Sequence, residues 1–456
     1  MPICIDSATV ITSRDDQPVV LDDHSVVYDG NIITQVAPAD EVNAALRDVD
    51  AVTRIDGRNL IVIPGLVNTH HHLYQTLTRG LKCVQDAELF DWLTALYTRW
   101  RHIDHAAVKL AAQVSIAELL LSGCTTTSDH FYIFPQGTDA RVESVLEAAD
   151  SLGMRIHACR GSMSVGQSGG GLPPDDCVQD EQTILRDCAR VIDAWHDPDP
   201  LAMRRIDLAP CSPFSISREL LRETAAFARE RGVLLHTHAA ETRDEEAYCL
   251  EKFGQRPIPY LRDQGWLGSD VYLAHCVHLS DEDVTALVNT GTGVAHCPCS
   301  NMRLGSGTPP IAKLLARGCK VGLGVDGSSS NDGGHLLGEA RQALLLQRVE
   351  GGATALGVAD AFRIATVGGA AVLNRQRLGR VAEGYAADLV MYRRDTIELA
   401  GAVAQDPLGA LMLCRAGRPE SVVVNGQTVV EQGRLTRLDE RKLAADLNQL
   451  VRKRFR

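Results

Sequence analysis

A chain of 456 residues is too long for one small core and suits a barrel of about 250 residues with an appended domain. Hydrophobic residues make up 45% and charged residues 23%, enough to bury a sizeable core, and no run of about 20 apolar residues marks a membrane span. The net charge of −12, without clustered Lys and Arg, argues against nucleic acid and for a small substrate that is not strongly anionic.

The opening MPICIDSATVITSRDD lacks a basic region followed by a long apolar stretch, so no signal peptide is expected. Thirteen scattered cysteines form no dense framework and fit a reducing cytoplasm. In SVVYDGNIITQV, Asp29-Gly30 sits between two strand-like segments, which is hairpin chemistry.

From residue 59 the period switches repeatedly. LIVIPGLVN, TTTSD, MRIHACR, RIDLAP, GVLLHTH, DVYLAH, GVAHC and KVGLGVD read as strands near helix-like stretches. Two of those helices are HAAVKLAAQVSIAELLLSG, stopped at Gly123, and SRELLRETAAFARERG, with Ser217 and Glu219 near its start and Gly232 at its end. Eight strand candidates alternating with helices predict an α/β fold, a closed (β/α)8 TIM barrel over residues 59–378. No glycine-rich dinucleotide fingerprint follows the first strand, against an open doubly wound sheet. Beyond the barrel, AADLVMYRR and SVVVNGQTVV, with a turn at Asn425-Gly426, mirror the β-rich start. Residues 1–58 and 379–456 are therefore expected to build a small β-sandwich domain together. A helical tail over Asp439–Arg456, with Leu443, Leu447 and Val451 on one face, closes the chain.

Barrel enzymes place reacting groups at the C-terminal ends of their strands. There the sequence offers Thr69-His70-His71-His72, whose alternation points His70 and His72 together and His71 away. HTHAAET supplies His238 as a metal ligand and Glu241 as a proton carrier, with His236 behind them; the alternative for Glu241 is the dipole-favoured first turn of the next helix. LAHCVHLS offers His275, and less directly His278, which could equally start a helix; GVDGSSSND puts Asp326 at the eighth strand end beside a sharply turning loop. Three histidines and a carboxylate, His70, His72, His238 and Asp326, predict a mononuclear divalent-metal site with an open position for water. A second ion would often need a carboxylated lysine on a middle strand, and no lysine lies between Lys109 and Lys252. Cys297-Pro298-Cys299 lacks a second pair at zinc-ribbon spacing and reads as structural.

PGLVNTHHHLYQTLTRG, HTHAAET, LAHCVHLS, HCPCSNMRLGSG, LGVDGSSSNDG and GRVAEGYAADLVMY together resemble the amidohydrolase superfamily, in its deaminase and chlorohydrolase branch, across nearly the whole chain. The resemblance implies His70, His72, His238 and Asp326 as ligands of zinc, or of iron in some members, and Glu241 and His275 as proton-transfer residues beside Asp326. Such an ion would supply hydroxide at neutral pH. Within the branch the chain looks most like the 8-oxoguanine deaminases and their hydroxyatrazine-hydrolysing neighbours. That implies deamination of a purine-like ring, 8-oxoguanine giving urate and ammonia, with s-triazines, guanine or a pterin as alternative substrates and a noncatalytic barrel scaffold as the remote one. Gln75 is the first candidate for binding the ring edge. Tyr74 and Trp92 are stacking surfaces or ordinary core, and Arg160 either binds a carbonyl or forms an ion pair. Residues 166–176, glycine-rich, are either a lid or a solvated loop. The expected partners are a small heterocycle and further copies of the chain in a homo-oligomer, with neither nucleic acid nor membrane.

Overall fold

A computed structural model describes residues 1–49 and 51–455; Arg456, the end of the expected tail, lies outside the described residues. Eight parallel strands close into a barrel: β1 (Leu66–Asn68), β2 (Cys124–Phe131), β3 (Arg155–Ser162), β4 (Arg204–Pro210), β5 (Leu235–Ala239), β6 (Val271–His275), β7 (Gly293–His296) and β8 (Val321–Leu323). Each pairs with the next, and β8 returns to β1 through Leu323 and Asn68. All eight runs read as barrel strands contribute to it. β2 and β3 are buried along their whole length, as expected of parallel strands covered on both faces.

Helices cover the outside, and their ends follow local chemistry. The helix Arg218–Arg231 starts where the Ser217 side chain accepts the Leu220 N–H, and stops at Gly232, which takes a left-handed φ of 66°. Among the described residues no helix is long and apolar enough to cross a membrane, and all thirteen cysteines are free thiols.

The two chain ends meet in a nine-stranded mixed sheet. Its central strand, Leu60–Pro64, pairs parallel with Ile3–Arg14 on one side and antiparallel with Leu389–Arg393 on the other. LIVIPGLVN, one apolar run in the sequence, is thus two strands: Leu60–Pro64 belongs to the sheet and Leu66–Asn68 to the barrel. The break falls at Gly65, where a Cβ would lie 2.0 Å from the Thr125 hydroxyl. The hairpin at Asn425-Gly426 takes positive φ at both residues (50° and 77°), as a type I′ turn requires. This turn touches the loop at Gly30, whose carbonyl would stand 1.8 Å from a Cβ on Gly426. The tail is a helix over Glu440–Arg454, capped by Asp439 and buried through Leu443 and Leu447.

Candidate metal and active site

The site is assembled at the C-terminal ends of β1, β5, β6 and β8, together with the segments that follow them. Backbone strain concentrates there: Ala240, His275, Cys276 and Asp326 all have φ between 51° and 71°, a region L side chains avoid and that clusters at functional sites.

The tautomers of the central histidines follow from their partners. His72 Nδ1 faces the His130 carbonyl at 2.7 Å and His238 Nδ1 the Cys211 carbonyl at 2.5 Å. A carbonyl only accepts, so both Nδ1 atoms carry the hydrogen. His236 Nδ1 likewise donates to the Tyr272 carbonyl at 2.8 Å, so its Nε2 accepts from His70 Nδ1 at 2.7 Å. Burial pushes His70, His72 and His238 below the usual imidazole range and takes His236 down to about 3, so these rings are neutral. Three Nε2 lone pairs are therefore left without a proton between them.

They converge. His72 Nε2 and His238 Nε2 are 3.1 Å apart, and Asp326 Oδ1 lies 3.3 Å from Nε2 of both His70 and His72. Lone pairs meeting at that distance in a buried place repel unless a cation stands among them. Donors around a tetrahedral ion with bonds of roughly 2.0–2.1 Å are about 3.3 Å apart, so the set fits a divalent metal. His130 stacks on His238 at 4.7 Å, but its Nε2 is committed to the Ala209 carbonyl at 2.8 Å. The carboxyl of Asp326 is held well below its ordinary range in spite of its burial. Its Oδ2 accepts from Ser300 at 2.5 Å and Ser330 at 3.1 Å, and Oδ1 from the Gly327 N–H at 2.7 Å.

Beside this cluster His275 gives its Nδ1 to Asn301 Oδ1 at 2.9 Å, which aims Nε2 into the same space, 3.6 Å from Glu241 and 3.9 Å from Asp326. Burial lowers His275, but Glu241 and Asp326 outweigh it and raise the ring above its usual value. Glu241 precedes Thr242, the N-cap of the helix Arg243–Phe253, and so lies outside that helix. Glu245 holds the turn by accepting the Ala240 and Glu241 N–H groups at 3.0 and 2.7 Å. Burial, with Asp326 and Glu245 nearby and His275 opposing, pushes Glu241 up to about 7.

A cavity opens on these groups, and its empty space, mouth included, is about 360 Å³. Gln75 and Trp92 line it with His72, His238, Glu241, His275 and Asp326. Gln75 is fully buried, and its Nε2 has no hydrogen-bond partner. Trp92 donates its indole N–H to the Ser329 carbonyl at 3.1 Å, leaving the ring as wall. Tyr74 and Arg160 are not brought to the cavity. Tyr74 packs against Trp100 and Phe131, with ring centroids 5.2 and 5.7 Å away. Arg160 is spent on Asp187 at 2.7 Å and Gln179 at 2.8 Å, over the ring of Phe134. The loop 166–176 is likewise absent from the lining; Asp175 ties it to itself through the N–H and hydroxyl of Ser168. Sequence reasoning missed Ser300, Asn301 and Ser330 as partners of Asp326 and His275, and Tyr132, Phe214 and Leu304 as walls. The first two lie in HCPCSNMRLGSG just past β7, where strand-end logic could have flagged them.

Residues 61–429 match the model of the amidohydrolase family. An 8-oxoguanine deaminase of Pseudomonas aeruginosa is 44% identical over 420 residues, 92% of each chain. An isoxanthopterin deaminase from an unknown prokaryotic organism is 35% identical over 89% of this chain and 88% of its own length. Among solved structures, the atrazine chlorohydrolase of Arthrobacter aurescens TC1 complexed with zinc superposes with a TM-score of 0.92 at 34% identity, over 98% of this chain and all of the other.

Proposed function

This chain belongs to the amidohydrolase family, and on that premise we propose that it is a metal-dependent aminohydrolase that deaminates a purine-like heterocycle, 8-oxoguanine to urate and ammonia. The observation that carries the reading is the convergence of three neutral Nε2 atoms and one ionised carboxylate on a single buried point. His70, His72, His238 and Asp326 would hold one divalent ion, and zinc is the choice that the zinc-bound chlorohydrolase supports. Such an ion acidifies water, taking its pKa from 15.7 toward about 7.

The chain's own residues supply the rest. Asp326 through its carboxylate, and His275 through Nε2 in the neutral ring whose Nδ1 hydrogen is given to Asn301, orient the water and accept its proton. Glu241, raised to about 7, is part protonated near neutral pH and delivers a proton to the ring nitrogen beside the amino-bearing carbon, which makes that carbon electrophilic. His275, turned inward by Asn301, stands by the developing oxyanion. The proton taken from the water then passes to the departing nitrogen, which leaves as ammonia. The orphaned Gln75 amide is a ready donor for a ring carbonyl: left unpaired by a wrong ring it costs binding, which favours the right one. Trp92 offers its face to a flat ring.

The second reading, hydrolysis of an s-triazine, is favoured by the likeness to the chlorohydrolase structure. Amine release across 8-oxoguanine, isoxanthopterin, guanine and hydroxyatrazine, read as ammonia for the first three and as alkylamine for the last, separates the two. The highest kcat/KM is expected on 8-oxoguanine with urate as co-product. A higher value on the triazine overturns that assignment while leaving the hydrolase reading intact.

A further inference from the structure

At the opposite end of the barrel, beneath the N-terminal ends of β6 and β8, a cleft lies against the sheet formed by the chain ends. Its walls carry Lys320, Arg363, Arg375 and Arg380, in a chain whose net charge is −12. The one acid in the lining, Asp16, is already taken by Arg380 at 2.5 Å. Lys320, Arg363 and Arg375 have no carboxylate within 4.0 Å among the described residues. Lys320 reaches only the Asn374 side-chain carbonyl, at 3.4 Å.

Arg375 makes the imbalance acute. It is 1% exposed, a buried cation that no carboxylate touches, although Asp388 and Asp207 lie near enough to favour its charge. One of its terminal nitrogens donates to the Ala202 carbonyl at 2.5 Å and the other lies 3.4 Å from His157 Nε2, while Nε has no partner. Of the acids near it, Asp388 is paired with Arg155, while Asp207 reaches it only through the His157 ring, whose Nδ1 donates to Asp207 at 3.0 Å. Arg205 and Arg155 add to the positive field there. Tyr385 and Leu378 complete the wall and could receive an organic group attached to an anion.

We propose that this cleft is a binding site for an anion of the phosphate class, a di- or trianion gripped by Lys320 and Arg363, with the buried charge of Arg375 behind them. The chemistry is that of phosphate recognition by clustered cations, with Arg supplying paired donors and Lys a point charge. The site is independent of the reaction at the mouth, because it opens at the other end of the barrel. Free phosphates and phosphorylated nucleosides share this chemistry, and the apolar wall decides between them.

Isothermal titration of the full chain with inorganic pyrophosphate and with a purine nucleoside monophosphate, at fixed ionic strength, tests the site. Saturable one-site binding is expected for at least one of them, and tighter binding of the nucleotide would assign the Tyr385 wall to the base. In the double variant Lys320→Gln/Arg363→Gln, two half-exposed positions whose loss leaves the core intact, affinity should fall at least tenfold with an unchanged circular dichroism spectrum. Absence of saturable binding for both probes through the millimolar range overturns the proposal. So does binding that survives the double variant or that is displaced by heterocyclic substrate, since either places the anion elsewhere.

Discussion

The barrel mouth and the sheet built from the chain ends treat the same two costs, backbone strain and buried polar atoms, in opposite ways. In the sheet, non-glycine residues with positive φ such as Asp15, Asp16 and Asn425 sit in exposed or half-exposed turns. Asp388, where the sheet meets the barrel, is surrounded by donors: Arg155, Thr125 at 3.3 Å and the Asn425 N–H at 2.7 Å. At the mouth the left-handed residues are buried, and His70 Nε2, Gln75 Nε2 and Asn301 Nδ2 have no protein partner. Left-handed residues that are buried therefore mark the mouth, where ligands complete the structure, whereas in the sheet left-handed residues such as Asp15 and Asn425 are left to the turns.

If that contrast is right, mutations at the mouth cost activity and mutations in the sheet cost stability. The largest effect is expected from Glu241→Gln, which removes the proton carrier but no metal donor: turnover should fall about 10²–10⁴-fold with metal content unchanged. Full activity in that variant would take Glu241 out of the mechanism. Asn301→Ala releases the ring of His275 and should lower turnover by about 10–100-fold, with a shifted pH profile that a purely structural residue would not give. In the sheet, Gly426→Ala forces a side chain into a φ of 77° and against the Gly30 carbonyl, so denaturant unfolding should show a loss of about 2 kcal/mol or more. Turnover per folded molecule should be unaffected, and a selective loss of activity would break the comparison.

The smallest effect is a matter of pH. Burial pushes Asp129, beneath the mouth, up to about 7, against an ordinary carboxyl value of 3.8. Between those values the folded chain holds a proton that the unfolded chain releases. This group's contribution is thus complete below about 4 and is lost as pH rises through about 7. Asp129→Asn should flatten that slope and gain on the order of 1 kcal/mol at pH 8 relative to the parent. Urea midpoints at pH 5 and pH 8 measure it, and an unaltered slope would contradict the burial argument.

Much of this was legible in the sequence because period and position carry it. The alternation of strand residues aligns His70 with His72, and the rule that barrel strands end in function picks out His238, His275 and Asp326. What the sequence concealed depended on direction and on neighbours. LIVIPGLVN is one uninterrupted apolar run, and only the pressure of Thr125 on Gly65 reveals that the chain passes there from sheet to barrel. Tyr74 adjoins Gln75, yet on the short helix Leu73–Thr78 the two point different ways, one into the aromatic core and one into the cavity. Arg160 ends its strand segment as a site residue would, but Asp187 and Gln179, far along the chain, claim it. Ser300 and Asn301 gain their roles through Asp326 and His275, contacts that no local pattern encodes.

The central claim is that four donors at the mouth hold one metal ion on which deamination depends. It is tested most directly by quantifying metal in the purified chain while following ammonia release from 8-oxoguanine during chelation and re-addition. One divalent ion per chain is predicted, with turnover falling in proportion as the ion is withdrawn and recovering when it is restored. Undiminished ammonia release from a chain stripped of metal would contradict the account.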